Sequence, residues 1–95
     1  HIHEFQEMMR QLYFQDSVRG IKGTYEWLTD EIKELGEAIE EGSSKKAAEM
    51  EFADVIAWLA SLANIMGIDL ESAAINKYNY KAQNVNKHHA IATFN

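Results

Sequence analysis

Residues 27–59, WLTDEIKELGEAIEEGSSKKAAEMEFADVIAWL, decide the fold and carry the residues of greatest chemical interest. Gly42-Ser43-Ser44 interrupts this stretch. Glycine suits the position just past a helix end, and either serine can cap the helix that follows. The stretch therefore predicts two antiparallel helices joined by a tight turn.

Two acidic pairs, Glu31/Glu34 and Glu51/Asp54, lie on either side of the turn. Glu31 lies as far before the turn as Asp54 lies after it, and the same holds for Glu34 and Glu51. Residues at equal distance from the turn of an antiparallel hairpin face each other, and i,i+3 spacing puts each pair on one helix face. All four carboxylates are therefore predicted to converge.

These four carboxylates differ from an ordinary solvated acidic face. None of them has a Lys or Arg three or four residues away, where a helical ion pair would need one. Like charges that lie close together beside apolar surface repel each other unless a cation neutralises them. The pattern indicates a site for a hard divalent cation.

The rotation of each helix, at 100° per residue, gives an apolar stripe and a flank. The predicted stripes are Leu28, Ile32, Leu35 and Ile39 on the first helix, and Phe52, Val55, Leu59, Leu62 and Met66 on the second. The four carboxylates, Trp27 and Trp58 fall on the flanks, and both flanks lie on the same side of the hairpin.

Four helices are expected in all, so the predicted fold is all-α with the hairpin at its centre. A first helix spans residues 2–14, and Asp16–Gly23 is predicted to be a connecting loop because it contains two glycines. Thr24 is predicted to cap the second helix, and Asp69 the fourth. Residues 1–83 would form a single domain, and residues 84–95, with His88 and His89, a C-terminal tail without periodicity.

The helix after the turn is apolar nearly all round, which is typical of a buried helix. Met50, Ile56 and Ile65 lie on faces that one hairpin partner cannot cover. A chain of 95 residues can hardly surround this helix alone. We therefore expect a homodimer or a homotetramer, an oligomeric helical bundle.

The composition narrows the choice of partners. A net charge of −6 and a pI near 5.1 argue against non-specific binding to nucleic acid or anionic membrane. The most apolar run, Val55–Ile68, is shorter than the ~20 residues that a membrane span needs. The chain has no Cys and no visible signal peptide, so a cytoplasmic protein is expected.

Other residues are candidates for binding a substrate. Arg19 can contact a phosphate or be a solvated loop residue, and Lys77 and Lys81, one turn apart, can contact phosphates or serve solubility. Trp27 can stack on a base or pack in the core, whereas packing is the favoured role of Trp58.

The two motif helices, WLTDEIKELGEAI and MEFADVIAWL, resemble the MazG family of nucleoside triphosphate pyrophosphohydrolases over residues 17–81. The family signature is E-x-x-E, a spacer, then E-x-x-D, and here sixteen residues separate Glu34 from Glu51. Asp30 stands where the family usually has a first Glu, and Lys33 where a Gly is common.

The resemblance implies an all-α oligomer with its site between helices, in which Glu31, Glu34, Glu51 and Asp54 hold Mg²⁺. Two or more Mg²⁺ ions are expected, with Mn²⁺ as a candidate substitute. The implied reaction cleaves an NTP or dNTP between its α- and β-phosphates to the monophosphate and pyrophosphate. Glu34 would orient the attacking water.

Two other functions are alternatives to a hydrolase. The first is a non-catalytic helical interaction protein whose acidic ridge binds a basic partner, which Mg²⁺-dependent pyrophosphate release would distinguish from an enzyme. The second, a di-iron carboxylate bundle, requires Glu-x-x-His pairs, and the motif helices contain no His. Base and sugar preference do not follow from the sequence.

Overall fold

The structure, a computed structural model, describes the backbone of residues 1–12 and 16–86 and the side chains of residues 1–12 and 19–78. Its four helices are α1 (Ile2–Leu12), α2 (Asp16–Glu40), α3 (Lys45–Ile65) and α4 (Leu70–Asn86). The described part of the chain contains no strand, so the predicted all-α class is confirmed. His88, His89 and most of the predicted tail lie outside the described residues.

The turn between α2 and α3 forms as its sequence predicts. Gly42 has a φ of 66°, and the Ser43 N–H donates to the Ala38 carbonyl at 3.0 Å, which closes the end of α2. Ser44 is the cap of α3, because its Oγ accepts from the Ala47 N–H at 3.2 Å. The two helices then pack side by side as an antiparallel hairpin.

The predicted loop at Asp16–Gly23 is wrong. These residues belong to α2, apart from a single break at Gly20, where φ is 85° and ψ is 173°. That conformation is accessible essentially to glycine alone. The second glycine, Gly23, is helical, so it does not end the helix.

The predicted cap at Thr24 is wrong for the same reason. α2 begins eight residues earlier, so Thr24 lies inside it, one turn before Leu28. Its side chain is 0% exposed, and its hydroxyl has no hydrogen-bond partner. In a regular helix this hydroxyl can donate to the carbonyl four residues before it, which here belongs to the break at Gly20.

The face that each helix turns toward the other is rotated by about 50°, half a residue, from the predicted stripe. The residues least exposed along the seam are Thr24, Leu28, Glu31, Leu35 and Ala38 on α2, and Ala48, Glu51, Val55, Trp58, Leu62 and Ile65 on α3. Residues predicted to be inward are instead exposed, Ile39 by 66% and Phe52 by 59%. The prediction is confirmed for the other half of each stripe, since the seam contains Leu28, Leu35, Val55 and Leu62. Periodicity alone could not tell which part of an apolar stripe faces the partner helix.

The remaining stripe forms a continuous surface that we call the apolar face. Its members are Ile21, Tyr25, Ile32, Ile39, Phe52, Ile56, Leu59 and Met66, all exposed. On both helices these residues lie about 100° from the seam in the same rotational sense. In an antiparallel pair, the same sense places them on one side of the hairpin.

α1 and α4 meet the hairpin at the end of α3. Gln6, buried on α1, donates from Nε2 to the Ile68 carbonyl at 2.6 Å and accepts at Oε1 from the Leu70 N–H at 2.8 Å. Asn64 of α3 donates to the Gln6 carbonyl at 3.1 Å. These bonds tie α1 to the turn between α3 and α4.

The predicted cap of α4 is confirmed, since Asp69 Oδ1 accepts from the Ser72 N–H at 3.2 Å. No single described helix is long and apolar enough to cross a membrane. α3 and Leu70–Tyr78 pass a length and composition test together, but they are bent by 97° at the break between them.

Candidate metal centre

Three carboxylates converge in the hairpin. Glu31 of α2 and Glu51 and Asp54 of α3 each offer an oxygen atom, and the three atoms lie within 4.8 Å of one another. Glu31 and Glu51 are partly buried in the seam, and Asp54 is exposed at its edge. The prediction had placed all of them on the flank, so the rotation of the seam brings two of them further inward than expected.

The pairing of the two helices follows the predicted register. Trp27 and Trp58, which are also equidistant from the turn, stack with their ring centroids 5.5 Å apart and an interplanar angle of 11°. Glu31 and Asp54 are also equidistant from the turn, one helical turn closer to it, and both belong to the group of converging carboxylates. Distance from the turn therefore identified both contacts correctly.

Glu34 lies beside this group and is not one of its three members. Its charge raises the pKa of both Glu31 and Glu51. Glu34 is exposed, whereas Glu31 and Glu51 are not fully so. The predicted set of four is thus present as three converging carboxylates with a fourth at the rim.

The metal-free cluster is electrostatically unfavourable. Burial, followed by the charges of Glu34 and Asp54, raises the pKa of Glu31 above its ordinary value. Burial and the same two charges also raise the pKa of Glu51. A bound cation would relieve this repulsion and favour the ionised form of both groups.

The donor set fits a hard divalent cation. All the converging atoms are carboxylate oxygens, the ligands that Mg²⁺ prefers, and no described Lys or Arg forms an ion pair with any of them. Glu31, Glu51 and Asp54 are the residues that would hold such an ion. Glu34 is close enough to act beside it.

Arg19 lies next to the site, although it was predicted to be in a loop. Its guanidinium carbon is 5.8 Å from the ring centroid of Trp27 and 5.0 Å from that of Trp58. Trp27 is 48% exposed and Trp58 is partly buried. This arrangement is hard to predict from the sequence, because Arg19 is eight residues from Trp27 and far along the chain from Trp58.

Lys77 lies on α4, outside the hairpin that carries the carboxylates. Among the described helices, α4 packs principally against α1, beyond the 97° bend at the end of α3. The ammonium group of Lys77 lies 5.4 Å from the ring of its neighbour Tyr78. The side chain of Lys81 lies outside the described residues.

The fold and the site define a class: an all-α protein whose central antiparallel hairpin presents a carboxylate cluster suited to divalent metal. The family follows from comparison with known proteins, in which residues 19–89 match the model of the MazG nucleotide pyrophosphohydrolase domain. The chain belongs to this family, as the resemblance of its two motif helices predicted. A comparison with curated proteins finds no match.

Proposed function

We propose that the protein is a Mg²⁺-dependent pyrophosphohydrolase that cleaves an NTP or dNTP between its α- and β-phosphates. Membership of the MazG family supports nucleotide pyrophosphohydrolase activity in general. The observation that carries the finer proposal is the convergence of Glu31, Glu51 and Asp54 in the seam of the hairpin. These groups repel one another without a cation, so the site gains most from a ligand that arrives with metal.

In this proposal each acidic residue has a distinct task. Glu31, Glu51 and Asp54 would hold Mg²⁺, and the bound metal would supply positive charge for the triphosphate and the departing pyrophosphate and lower the pKa of a bound water. Two or more ions are proposed, because four carboxylates and a triphosphate otherwise carry excess negative charge. Mn²⁺ satisfies the same oxygen ligands.

Glu34 orients the attacking water and accepts its proton. Its position at the rim supports this task, because its charge acts on Glu31 and Glu51 although it does not belong to the converging group. The water oxygen bonds to phosphorus as the phosphoanhydride bond breaks, and the bridging oxygen leaves with the bonding electrons. The products are a nucleoside monophosphate and pyrophosphate.

The direct test is a panel of NTPs and dNTPs, incubated with the protein with and without Mg²⁺, with both products identified. We expect monophosphate and pyrophosphate in equal amounts, only with the metal. Release of orthophosphate would place the cleavage elsewhere in the triphosphate. No release from any nucleotide would favour a non-catalytic interaction protein with an acidic ridge.

We also propose that the protein assembles as a homodimer or homotetramer through the apolar face. Its eight large side chains, each exposing on the order of 100 Å², would supply on the order of 800 Å², about what one partner contributes to a standard interface. The face lies on the opposite side of the seam from Glu34 and Asp54. A second copy can therefore cover it and leave the acidic site open.

A further inference from the structure

Arg19 lies across one end of the acidic site. Its side chain crosses Gly23, and its guanidinium group lies over both rings of the Trp27–Trp58 stack. A guanidinium group is planar and stacks well on aromatic faces, and its aliphatic stem can cover apolar surface. We call these four residues together the indole clamp.

Two glycines allow Arg19 to take this path. The break at Gly20 directs the chain out of the regular helix immediately after Arg19. At Gly23, an added Cβ would lie 2.7 Å from Cγ of Arg19 and 3.5 Å from its Cδ. The missing side chain at Gly23 is thus the space that the stem of Arg19 occupies.

The clamp adjoins the carboxylates. Trp27 precedes Glu31 by one helical turn on α2, and Trp58 follows Asp54 by one turn on α3. One turn of helix advances by about 5.4 Å. The indole stack therefore sets the spacing of α2 and α3 in the layer next to Glu31 and Asp54.

We propose that Arg19 is a positioning residue of the metal site: it holds the two indoles together and so fixes the separation of the carboxylates on the two helices. This inference rests on the proposed function, since it assigns Arg19 to the same site. Arg19 acts through Trp27 and Trp58, not as a ligand of the metal.

The sign of one measurement separates this role from a simple effect of charge. If Arg19 acted only as a nearby positive charge, its removal would strengthen Mg²⁺ binding to the acidic cluster. If Arg19 positions the helices, its removal weakens Mg²⁺ binding. The two roles therefore move the Mg²⁺ midpoint, the free Mg²⁺ concentration at half-saturation in a calorimetric titration, in opposite directions.

The sharpest variant is Gly23→Ala, with Gly36→Ala as its matched control. Both replace a helical glycine of α2 with a better helix former, but a Cβ at Gly36 meets nothing within 4 Å. We expect Gly23→Ala and Arg19→Ala to raise the Mg²⁺ midpoint about three- to tenfold, near the lower end of losses from outer-shell changes. Gly36→Ala should leave it unchanged.

Tryptophan emission of the Mg²⁺-free protein gives a second readout that does not depend on activity. Trp27 and Trp58 are the only tryptophans of the chain, so the emission reports on the clamp alone. Arg19→Ala and Gly23→Ala should shift or intensify it similarly, and Gly36→Ala should not. In an Arg19→Ala background, adding Gly23→Ala should cause no further change, because the stem it would displace is gone.

Several results would overturn the proposal. The first is a lower or unchanged Mg²⁺ midpoint in Arg19→Ala. The second is tryptophan emission that does not change in Gly23→Ala. The third is a raised nucleotide KM in Arg19→Ala at an unchanged Mg²⁺ midpoint, which would make Arg19 a substrate contact. If the variants change the tryptophan emission as expected but Mg²⁺ does not stabilise the parent protein, the proposed function is wrong, and the positioning role is wrong with it. If Mg²⁺ stabilises the parent but Arg19→Ala and Gly23→Ala leave the tryptophan emission unchanged, the positioning role alone is overturned.

Discussion

At the scale of single residues, the acidic cluster combines two opposing demands. The seam of a helix pair normally takes apolar side chains, yet here Glu31 and Glu51 occupy it. Their raised pKa values show that the fold disfavours the ionised forms that a metal requires. Stability of the metal-free protein is thus reduced in favour of a prepared cation site.

Glu51→Gln tests this opposition between stability and function. A carboxyl group whose pKa is raised by folding binds its proton more tightly in the folded state, so stability falls as the pH rises through that pKa. At neutral pH the ionised Glu51 therefore destabilises the metal-free protein. Glu51→Gln should leave its melting temperature unchanged or higher, shrink the rise caused by Mg²⁺, and lower NTP hydrolysis by at least ~100-fold.

Asp54→Asn should behave in the same way, with Glu40→Gln as the control. Glu40 is an exposed acid of the same hairpin, and it is a better control than Glu37, whose charge still acts on Glu51. Wild-type hydrolysis in Asp54→Asn would remove it from the metal site. An equal loss of hydrolysis in Glu40→Gln would point to net charge as the cause.

Thr24 offers a test of buried polarity within the same helix. Its hydroxyl is fully buried without a partner, and an unsatisfied buried polar group costs about 1–3 kcal/mol. Thr24→Val keeps the shape and removes the hydroxyl, so it should raise the free energy of unfolding by about 1 kcal/mol. Chemical denaturation measures this.

The matched control is Thr29→Val, five residues further along α2. Thr29 is exposed, and its hydroxyl donates to the Glu26 carbonyl at 2.7 Å. Its substitution should change the free energy of unfolding by less than about 0.5 kcal/mol. A loss of stability in Thr24→Val would show that its hydroxyl is satisfied in solution.

At the scale of helices and turns, local signals were sufficient where one residue determines one contact. Ser44 and Asp69 cap their helices as predicted, and equal distance from the turn paired Trp27 with Trp58. The two caps depend only on neighbouring backbone, and the pairing of the tryptophans depends on the position of the turn.

The errors arose where tertiary contacts decide. Glycine is a weak helix former, so Gly20 and Gly23 indicated a loop, but Arg19 fills the space beside Gly23 and the helix continues. Which part of each predicted apolar stripe faces the partner helix likewise depends on the residues that pack against it.

The cap of α4 yields a prediction about pH. Hydrogen bonding from the Ser72 N–H, more than the nearby His3, lowers the pKa of Asp69. A carboxyl group with a lowered folded pKa adds stability above its ordinary value, and this contribution is lost as the pH falls through the lowered pKa. Asp69→Asn keeps an N-cap oxygen but no charge.

The parent should therefore be more stable than Asp69→Asn at pH 6, and the difference should shrink steadily below pH ~4. Urea unfolding at several pH values measures it. A difference that stays constant with pH would show that the charge of Asp69 contributes nothing and that capping geometry alone matters.

At the scale of the whole molecule, the hairpin has two unlike sides. The rim of the acidic site, with Glu34 and Asp54, lies on one side of the seam, and the apolar face lies on the other. Such a large apolar surface is typical of an interface. The net charge of −6 opposes association of two copies, so burial of apolar surface must overcome it.

Phe52→Asp tests whether the apolar face joins two copies. Phe52 is 59% exposed near the middle of this face, so an Asp there costs little in the separate chain but would bury a charge in the interface. Sedimentation equilibrium at micromolar concentration should show a dimer or tetramer for the parent and a monomer for Phe52→Asp. Because the face and the acidic cluster lie on opposite sides of the seam, Mg²⁺ should still raise the melting temperature of the monomeric variant.

Met8→Asp, an equal change of charge at an exposed apolar residue of α1, should leave the assembly intact. A monomeric parent, or a Phe52→Asp variant that assembles like the parent, would show that the protein does not associate through this face.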